Sequence, residues 1–249
     1  MVSKKIRHLQ GQKVSPSYSL SRSVRLDPNA MAERRCVGVL TDAPEMESYR
    51  VLRTGIIKRI QERGGTTIMV TSALPGEGKT LTAVNLAFAF AREFKRTVLL
   101  VDCDLRRQQI HQVMGYDSDK GIIDYLLRDV PLQELIVWPG IEKLTVISGG
   151  GTVRESSEVL GSPRMHALIV SMRDRYPDRY VLFDAPPVLS AADALALAPF
   201  MDHILLVVQA GKTPMPDINR TLQLLPKEKV LGLVLNRMEA RPKTYKTYY

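Results

Sequence analysis

Short apolar runs alternate with amphipathic segments along most of this chain. The runs are rich in Val, Ile and Leu, and each has the length of a buried β-strand. They occupy residues 66–70, 97–101, 144–147, 180–184, 203–208 and 230–235. Segments with apolar residues at helical spacing lie between them, at residues 81–87, 122–127, 155–160, 165–175 and 217–225. This alternation predicts an α/β fold, a three-layer sandwich with a mostly parallel central sheet.

The two ends of the chain lack this alternation. Residues 1–43 are polar, rich in Ser, Arg and Lys, and have no periodic apolar pattern, so we predict a flexible basic leader. Residues 239–249 form a basic tail that contains Pro242. The predicted domain therefore spans residues 44–238.

A helical pattern begins at Pro44 and continues over residues 45–63. Its apolar positions recur every three or four residues and form one stripe, made of Tyr49, Leu52, Ile56 and Ile60. The opposite face carries Glu47, Arg50 and Arg53, which are three residues apart. One interpretation is an ion pair on a solvated face, which stabilises a helix by a few tenths of a kcal/mol.

The glycine-containing segment after the first apolar run has the form of a phosphate-binding loop. Residues 73–80 read Ala-Leu-Pro-Gly-Glu-Gly-Lys-Thr and lie between a predicted strand and a predicted helix. Glycines let backbone N–H groups approach an anion, Lys79 supplies a cation and Thr80 a hydroxyl for Mg²⁺. The strict pattern has Gly where Ala73 stands. We predict a nucleotide-phosphate site made of Gly76, Glu77, Gly78, Lys79, Thr80 and Leu81, the alternative being an ordinary βα turn.

Carboxylates follow two other predicted strands. Asp102 and Asp104 come after residues 97–101, and Asp184 ends the strand that precedes two prolines. Open α/β sheets bind ligands at the carboxyl ends of their strands, so these side chains are candidates for holding a cation or a phosphate. Capping of the next helix is the alternative for the first two. Asn236 closes the last strand and is predicted either to meet a nucleotide base or to cap a turn.

Composition narrows the class of protein. The chain has 249 residues and 45% hydrophobic content, enough for one large domain. It contains no apolar run of 18 residues and no secretory signal, so we expect a cytoplasmic protein. The two cysteines, Cys36 and Cys103, have no metal-binding spacing, which suits a reducing compartment and argues against a zinc site.

The formal charge of +9 resides in the two ends of the chain. Residues 1–40 carry eight Lys or Arg against two acidic residues, and residues 237–249 carry four against one, whereas the remainder is neutral. Basic ends favour anionic partners, either acidic lipid headgroups or acidic protein. Nucleic acid is disfavoured because Tyr18 is the only aromatic residue of the leader. Three tyrosines end the chain without any pattern that would bury them, namely Tyr245, Tyr248 and Tyr249.

Together, these motifs resemble those of the bacterial tyrosine kinases that govern capsular and extracellular polysaccharide synthesis. Residues 73–80 are similar to the family's Walker A loop, residues 99–106 to its Walker A′ motif and residues 181–187 to its Walker B motif. The face that carries Glu47, Arg50 and Arg53 is similar to the family's oligomerisation motif. The sequence departs from the family at Gln108, where Pro is common, and at Ala185, where Ser or Thr is common.

The resemblance implies a phosphate-loop ATPase fold that uses ATP and Mg²⁺ to phosphorylate tyrosine. Thr80 would bind the metal directly, and Asp104 and Asp184 would position it. Asp102 would accept or orient the proton of the attacking hydroxyl, and Arg106 would contact phosphate or substrate. The acceptors would be the three terminal tyrosines of a neighbouring copy.

The resemblance also implies partners and a location. The helix over residues 45–63 would form a ring-like homo-oligomer through Glu47, Arg50 and Arg53. A separate transmembrane activator of the chain-length-regulator type would recruit the protein to the inner face of the cell membrane. The basic leader could contact the anionic membrane surface there. Phosphorylation would then regulate the polymerisation and export of the polysaccharide.

Two other functions fit part of the sequence. A partitioning or site-selecting ATPase of the ParA/MinD type shares the phosphate loop but needs neither the tyrosine tail nor the Glu47 face. A scaffold within a polysaccharide export complex would bind nucleotide but transfer phosphate poorly. Phosphotyrosine on the tail distinguishes the kinase from both.

Overall fold

The computed structural model describes residues 21–39, 45–93, 95–176 and 178–238. Within these ranges the strands are β1 (Arg22–Ser23), β2 (Thr67–Ser72), β3 (Thr97–Asp102), β4 (Ile136–Trp138), β5 (Leu144–Ile147), β6 (Arg179–Asp184), β7 (His203–Gln209) and β8 (Val230–Asn236). The helices are α1 (Pro28–Glu33), α2 (Glu45–Arg63), α3 (Lys79–Ala91), α4 (Ile110–Met114), α5 (Ile122–Arg128), α6 (Leu132–Leu135), α7 (Ser156–Leu160), α8 (Pro163–Asp174), α9 (Asp193–Leu197) and α10 (Met215–Leu224).

The strands form one sheet in the order β1-β4-β5-β3-β6-β2-β7-β8. Neighbouring strands are parallel except for β4 and β5. β2 and β3 are buried along their whole length, which explains why they are apolar or β-branched almost throughout rather than alternating. The prediction of an α/β fold with a mostly parallel sheet is confirmed.

Two hydrophobic layers cover the sheet, one on each face. Phe88 and Phe90 of α3 belong to one layer, which also includes Ile56 and Ile60 of α2. The other layer contains residues of α5, α8 and α9. Because both faces are covered, the edge at the carboxyl ends of the parallel strands is where polar groups can meet a ligand.

The central strands bring the predicted site residues to this edge. β6 lies between β2 and β3, and Asp102 at the end of β3 pairs in register with Asp184 at the end of β6. β2 runs directly into the loop that precedes Lys79 at the start of α3. Three separate segments of the sequence therefore converge because of the strand order.

The prediction of a leader without packed structure is wrong for residues 21–39. β1 pairs with β4, and Asp27 caps α1 by accepting hydrogen bonds from the backbone N–H groups of Asn29 and Ala30. Met31 and Cys36 are completely buried in the layer that contains α3. Burial raises the pKa of the Cys36 thiol to about 12. These isolated apolar residues lack helical or strand periodicity, which is why the pattern did not reveal them. Residues 1–20 lie outside the described residues.

Helix α2 has the predicted bounds and packs on α3 through the predicted stripe, since Ile56 and Ile60 are buried. No helix in the described ranges is both long enough and apolar enough to cross a membrane. Residues 239–249, with Tyr245, Tyr248 and Tyr249, lie outside the described residues.

Candidate nucleotide site

The loop between β2 and α3 has the geometry of an anion-binding turn. Gly76 and Gly78 adopt left-handed backbone conformations, with φ of +81° and +92°. A larger residue at Gly78 would be strained by this backbone conformation. Its Cβ atom would also lie 2.2 Å from the side-chain nitrogen of Asn236, which would have to move. Gly78 is also the N-cap of α3 and offers no side-chain cap, which leaves the first N–H groups of the helix available to an anion.

Glu77 and Asn236 hold this loop in place from outside. The buried Glu77 carboxylate accepts hydrogen bonds from the backbone N–H of Leu74, at 2.7 Å, and from the Thr213 hydroxyl. The Asn236 side-chain amide donates to the Glu77 carbonyl oxygen at 2.8 Å. The sequence indicated Glu77 only as a member of the phosphate loop, and no signal in it pointed to the role of the side chain. The base contact of Asn236 stays a prediction beside this observed contact.

Lys79 joins two carboxylates that lie at or just beyond the ends of β3 and β6. Its Nζ atom lies 2.8 Å from Asp104 Oδ2, 3.4 Å from Asp184 Oδ1 and 3.2 Å from the Thr80 hydroxyl. All four side chains are buried. Burial alone would lower the pKa of Lys79, but the charges of Asp184 and Asp104 outweigh it and raise that pKa. Lys79 is therefore held as a cation at the carboxyl edge of the sheet.

The same cluster has the donor atoms that Mg²⁺ prefers. The Asp184 Oδ2 atom is buried and accepts no hydrogen bond from the described residues. Burial raises the pKa of Asp184, and Lys79 opposes this shift. No group of three or more His, Cys, Asp or Glu residues in the described ranges is arranged to hold a metal alone. Mg²⁺ commonly takes one or two carboxylates together with nucleotide phosphates and water, so Thr80, Asp104 and Asp184 fit a nucleotide-bound metal.

Asp102 braces the loop that follows β3. Its two carboxylate oxygens accept hydrogen bonds from the backbone N–H groups of Asp104, Gln109 and Ile110, each at 3.1 Å. Burial and the neighbouring Asp184 raise the pKa of Asp102 to about 8. These contacts match the capping alternative, and the role of Asp102 in proton transfer stays a prediction.

Arg106 makes contacts that the sequence did not indicate. Its Nε atom donates to the Ser156 hydroxyl at 2.9 Å and lies 3.4 Å from the Asp193 carboxylate. Ser156 is the first residue of α7 and Asp193 the first of α9. No spacing in the sequence links these two residues to Arg106, because they lie on separate short helices.

The charged face of α2 divides into two parts. Arg50 pairs with Glu47 at 3.0 Å on the exposed side of the helix. Arg53 instead donates to the backbone oxygen of Ala89 near the end of α3, at 2.8 Å. Nearby, Val51 is exposed. The structure therefore places the Glu47–Arg50 pair on the exposed side of α2 and engages the partly buried Arg53 in a contact with α3. The oligomer contact stays a prediction.

Comparison with known sequences points to one family. The AAA domain family matches residues 65–229. The tyrosine-protein kinase YwqD of Bacillus subtilis is 33% identical over 205 residues, which are 82% of this chain and 85% of YwqD. The succinoglycan biosynthesis transport protein ExoP of Rhizobium meliloti is 31% identical over 235 residues, which are 89% of this chain and 29% of ExoP. The chain thus spans most of YwqD but less than a third of ExoP.

Comparison with solved structures agrees with the sequence relatives. The kinase domain of the Escherichia coli tyrosine kinase ETK superposes with a TM-score of 0.75 at 25% identity, covering 94% of this chain and 95% of that domain. The septum site-determining protein MinD of Pyrococcus horikoshii, complexed with Mg-ADP, gives a TM-score of 0.56 at 26% identity and covers 70% of each chain. The likeness to the kinase domain extends over more of the chain.

Proposed function

Because this chain belongs to the family of bacterial tyrosine kinases built on an AAA domain, we propose that it transfers the γ-phosphate of ATP to tyrosine. The acceptors are chiefly Tyr245, Tyr248 and Tyr249 of a neighbouring copy. The observation that carries the proposal is the convergence of Lys79 with Asp104 and Asp184 at the phosphate loop. This arrangement brings a cation, two carboxylates and the start of a helix to one point.

In this reaction the phosphate loop binds and orients ATP. Backbone N–H groups of residues 76–81 donate hydrogen bonds to the phosphate oxygens, and Lys79 places a positive charge beside these oxygens. Thr80, Asp104 and Asp184 would hold Mg²⁺, which neutralises phosphate charge when bound. In the structure Lys79 already forms ion pairs with the two carboxylates. A bound nucleotide and metal must therefore share these ion pairs or replace them.

The attacking tyrosine must lose its proton during the transfer. A free tyrosine has a pKa of about 10, so an ionised carboxylate nearby assists at a pH below that value. Asp102 is the proposed group, since it ends the strand beside Asp184. Because its pKa is raised to about 8, its ionised fraction, and with it this assistance, should increase as the pH rises through 8. Its three backbone contacts fix its position relative to the loop that follows β3.

The proposed context is polysaccharide polymerisation and export at the inner face of the cell membrane. The name of the relative ExoP, a biosynthesis transport protein, supports this context. The exposed pair Glu47 and Arg50 would contact a second copy and place its tail at the active site. A transmembrane activator would recruit the chain, and the basic residues 1–20 could assist at the lipid surface.

A phosphorylation assay tests the proposal directly. The full chain is incubated with labelled ATP and Mg²⁺, with and without the cytoplasmic fragment of a candidate activator, and phosphotyrosine is located by mass spectrometry. Lys79→Met and deletion of residues 245–249 should each abolish tail phosphorylation. Lys120→Met, at a surface lysine whose ion-pair partner is Glu134, is the matched control and should leave it unchanged.

The other outcomes identify the alternative functions. Hydrolysis of ATP without phosphotyrosine, even with the activator fragment, would contradict the kinase and favour a site-selecting ATPase. Nucleotide binding with neither hydrolysis nor transfer would favour a scaffold.

A further inference from the structure

Arg106 lies in the loop after β3, two residues beyond Asp104, and its side chain is half-exposed. Both of its partners are fully buried. The Ser156 hydroxyl accepts a hydrogen bond from Nε at 2.9 Å, and Asp193 Oδ2 lies 3.4 Å from the same nitrogen. Two separate helices, α7 and α9, thus contribute one buried polar group each to a single atom of Arg106.

Asp193 is an unusual residue to bury. Neither of its carboxylate oxygens accepts a hydrogen bond from the described residues, and Arg106 is the one cation within ion-pair distance in those ranges. A buried carboxylate without hydrogen bonds destabilises a fold unless a cation compensates its charge. The ion pair between Asp193 and Arg106 therefore adds little to the free energy of unfolding. A role other than stability has to explain why Asp193 is buried beside Arg106.

The contacts leave the outer edge of the guanidinium open. Ser156 and Asp193 both engage Nε, whereas Nη1 and Nη2 donate to no residue in the described parts of the chain. An arginine presents its N–H groups as a rigid fork that matches the oxygens of a phosphoryl group. Fixing Nε restricts the rotation of this fork without consuming the donors that would meet a ligand.

We propose that Asp193, with Ser156, is a positioning residue that holds the Arg106 fork for a phosphoryl group at the carboxyl edge of the sheet. This inference rests on the proposed kinase function, because the phosphoryl group is that of ATP during transfer. Asp193 acts through Arg106 and does not itself touch the substrate. The two residues should therefore behave as one unit when they are mutated.

A double-mutant cycle tests this coupling. Steady-state kcat and KM for ATP are measured for the wild type, Asp193→Asn, Arg106→Gln and the double variant. We expect Arg106→Gln to lower kcat about 100-fold. Asp193→Asn should lower it about 10-fold, as for other residues that orient a catalytic group. The double variant should be no slower than Arg106→Gln. Asp129→Asn removes an exposed carboxylate and should leave kcat unchanged.

Stability separates positioning from a structural role. Asp193→Asn should leave the melting temperature unchanged or higher, because it removes the buried charge and leaves Arg106, whose half-exposed charge water can solvate. Arg106→Lys should keep the charge opposite Asp193 and the melting temperature but still lose kcat, because it lacks the fork. The inference is overturned if Asp193→Asn leaves kcat unchanged, or lowers it by the same factor with and without Arg106. It is also overturned if the loss of kcat in Asp193→Asn is matched by an equal loss of folded protein.

Failure of the proposed function gives a different result. If the wild type makes no phosphotyrosine, the kinase proposal fails, and the same four variants are then compared by their affinity for a non-hydrolysable ATP analogue. Weaker binding in Asp193→Asn that disappears in the Arg106→Gln background still supports the positioning role. The positioning role would be overturned if Asp193→Asn lowered that affinity by the same factor with and without Arg106→Gln.

Discussion

Two ion pairs of almost the same length have opposite surroundings in this protein. Lys79 lies 2.8 Å from Asp104 at the phosphate loop, with side chains only 9% and 8% exposed. Arg50 lies 3.0 Å from Glu47 on α2, with side chains 40% and 66% exposed. Distance alone would rank the two pairs as equals. Burial decides their energies, because water and salt screen the pair on α2.

The difference indicates what each pair is for. Removing one member of a buried pair leaves an uncompensated charge, whereas the whole pair adds little to stability. A buried cluster of this kind is expected where a charged ligand can replace one of the partners in its ion pairs. The exposed pair contributes only a few tenths of a kcal/mol to its own helix. A contact with another molecule can therefore replace this pair at small cost to the fold.

The largest expected effect comes from the buried side of this comparison. Lys79→Met should lower the free energy of unfolding in EDTA by about 3 kcal/mol, because Asp104 and Asp184 lose their shared cation. Urea denaturation measures this change. Added Mg²⁺ should raise the melting temperature of Lys79→Met more than that of the wild type, since the metal can replace the lost charge.

A second substitution controls for the site of that metal effect. In the Lys79→Met background, Asp184→Asn should remove most of the response to Mg²⁺, because the Asp184 carboxylate lies beside Lys79 and its Oδ2 atom is buried without a hydrogen bond from the described residues. An unchanged unfolding free energy for Lys79→Met, or a Mg²⁺ response that survives Asp184→Asn, would contradict the charge cluster as described.

The sequence predicted the residues of this cluster because each follows an apolar run that forms a parallel strand. Strand ends share one edge, so Asp102 and Asp184 could be expected to lie near Lys79 before the strand order was known. Contacts between distant side chains could not be predicted in this way. Asp193 reaches Arg106, and Thr213 reaches Glu77, only through the packing of short loops and helices.

The same limit applies to Arg53. Its three-residue spacing from Arg50 suggested one functional face on α2, but a helix position does not fix where a long side chain points. Its guanidinium instead reaches the carbonyl of Ala89 on the neighbouring helix. The buried Met31 and Cys36 were missed for a related reason, since isolated apolar residues carry no periodic signal.

The second-largest effect is expected for Arg53, which is partly buried between α2 and α3. Arg53→Ala should lower the free energy of unfolding by about 1.5 kcal/mol, because it removes a charged donor from the Ala89 carbonyl. Chemical denaturation of the separated monomer measures the change. Lys58→Ala, at an exposed position of the same helix, is the control and should have little effect. Equal effects of the two substitutions would show that Arg53 belongs with the exposed residues.

The smallest effect on folding is expected for the exposed pair of Glu47 and Arg50. Its coupling energy, measured by a double-mutant cycle of Glu47→Ala and Arg50→Ala in urea, should be less than about 0.5 kcal/mol. If this face joins subunits, Arg50→Ala should lower the mass measured by light scattering under conditions where the wild type assembles. Raising the salt concentration should weaken wild-type assembly as well, since exposed charges are screened. A variant that assembles like the wild type would remove Arg50 from the interface. A coupling energy as large as the loss in Arg53→Ala would show that burial does not separate the contacts of the two arginines.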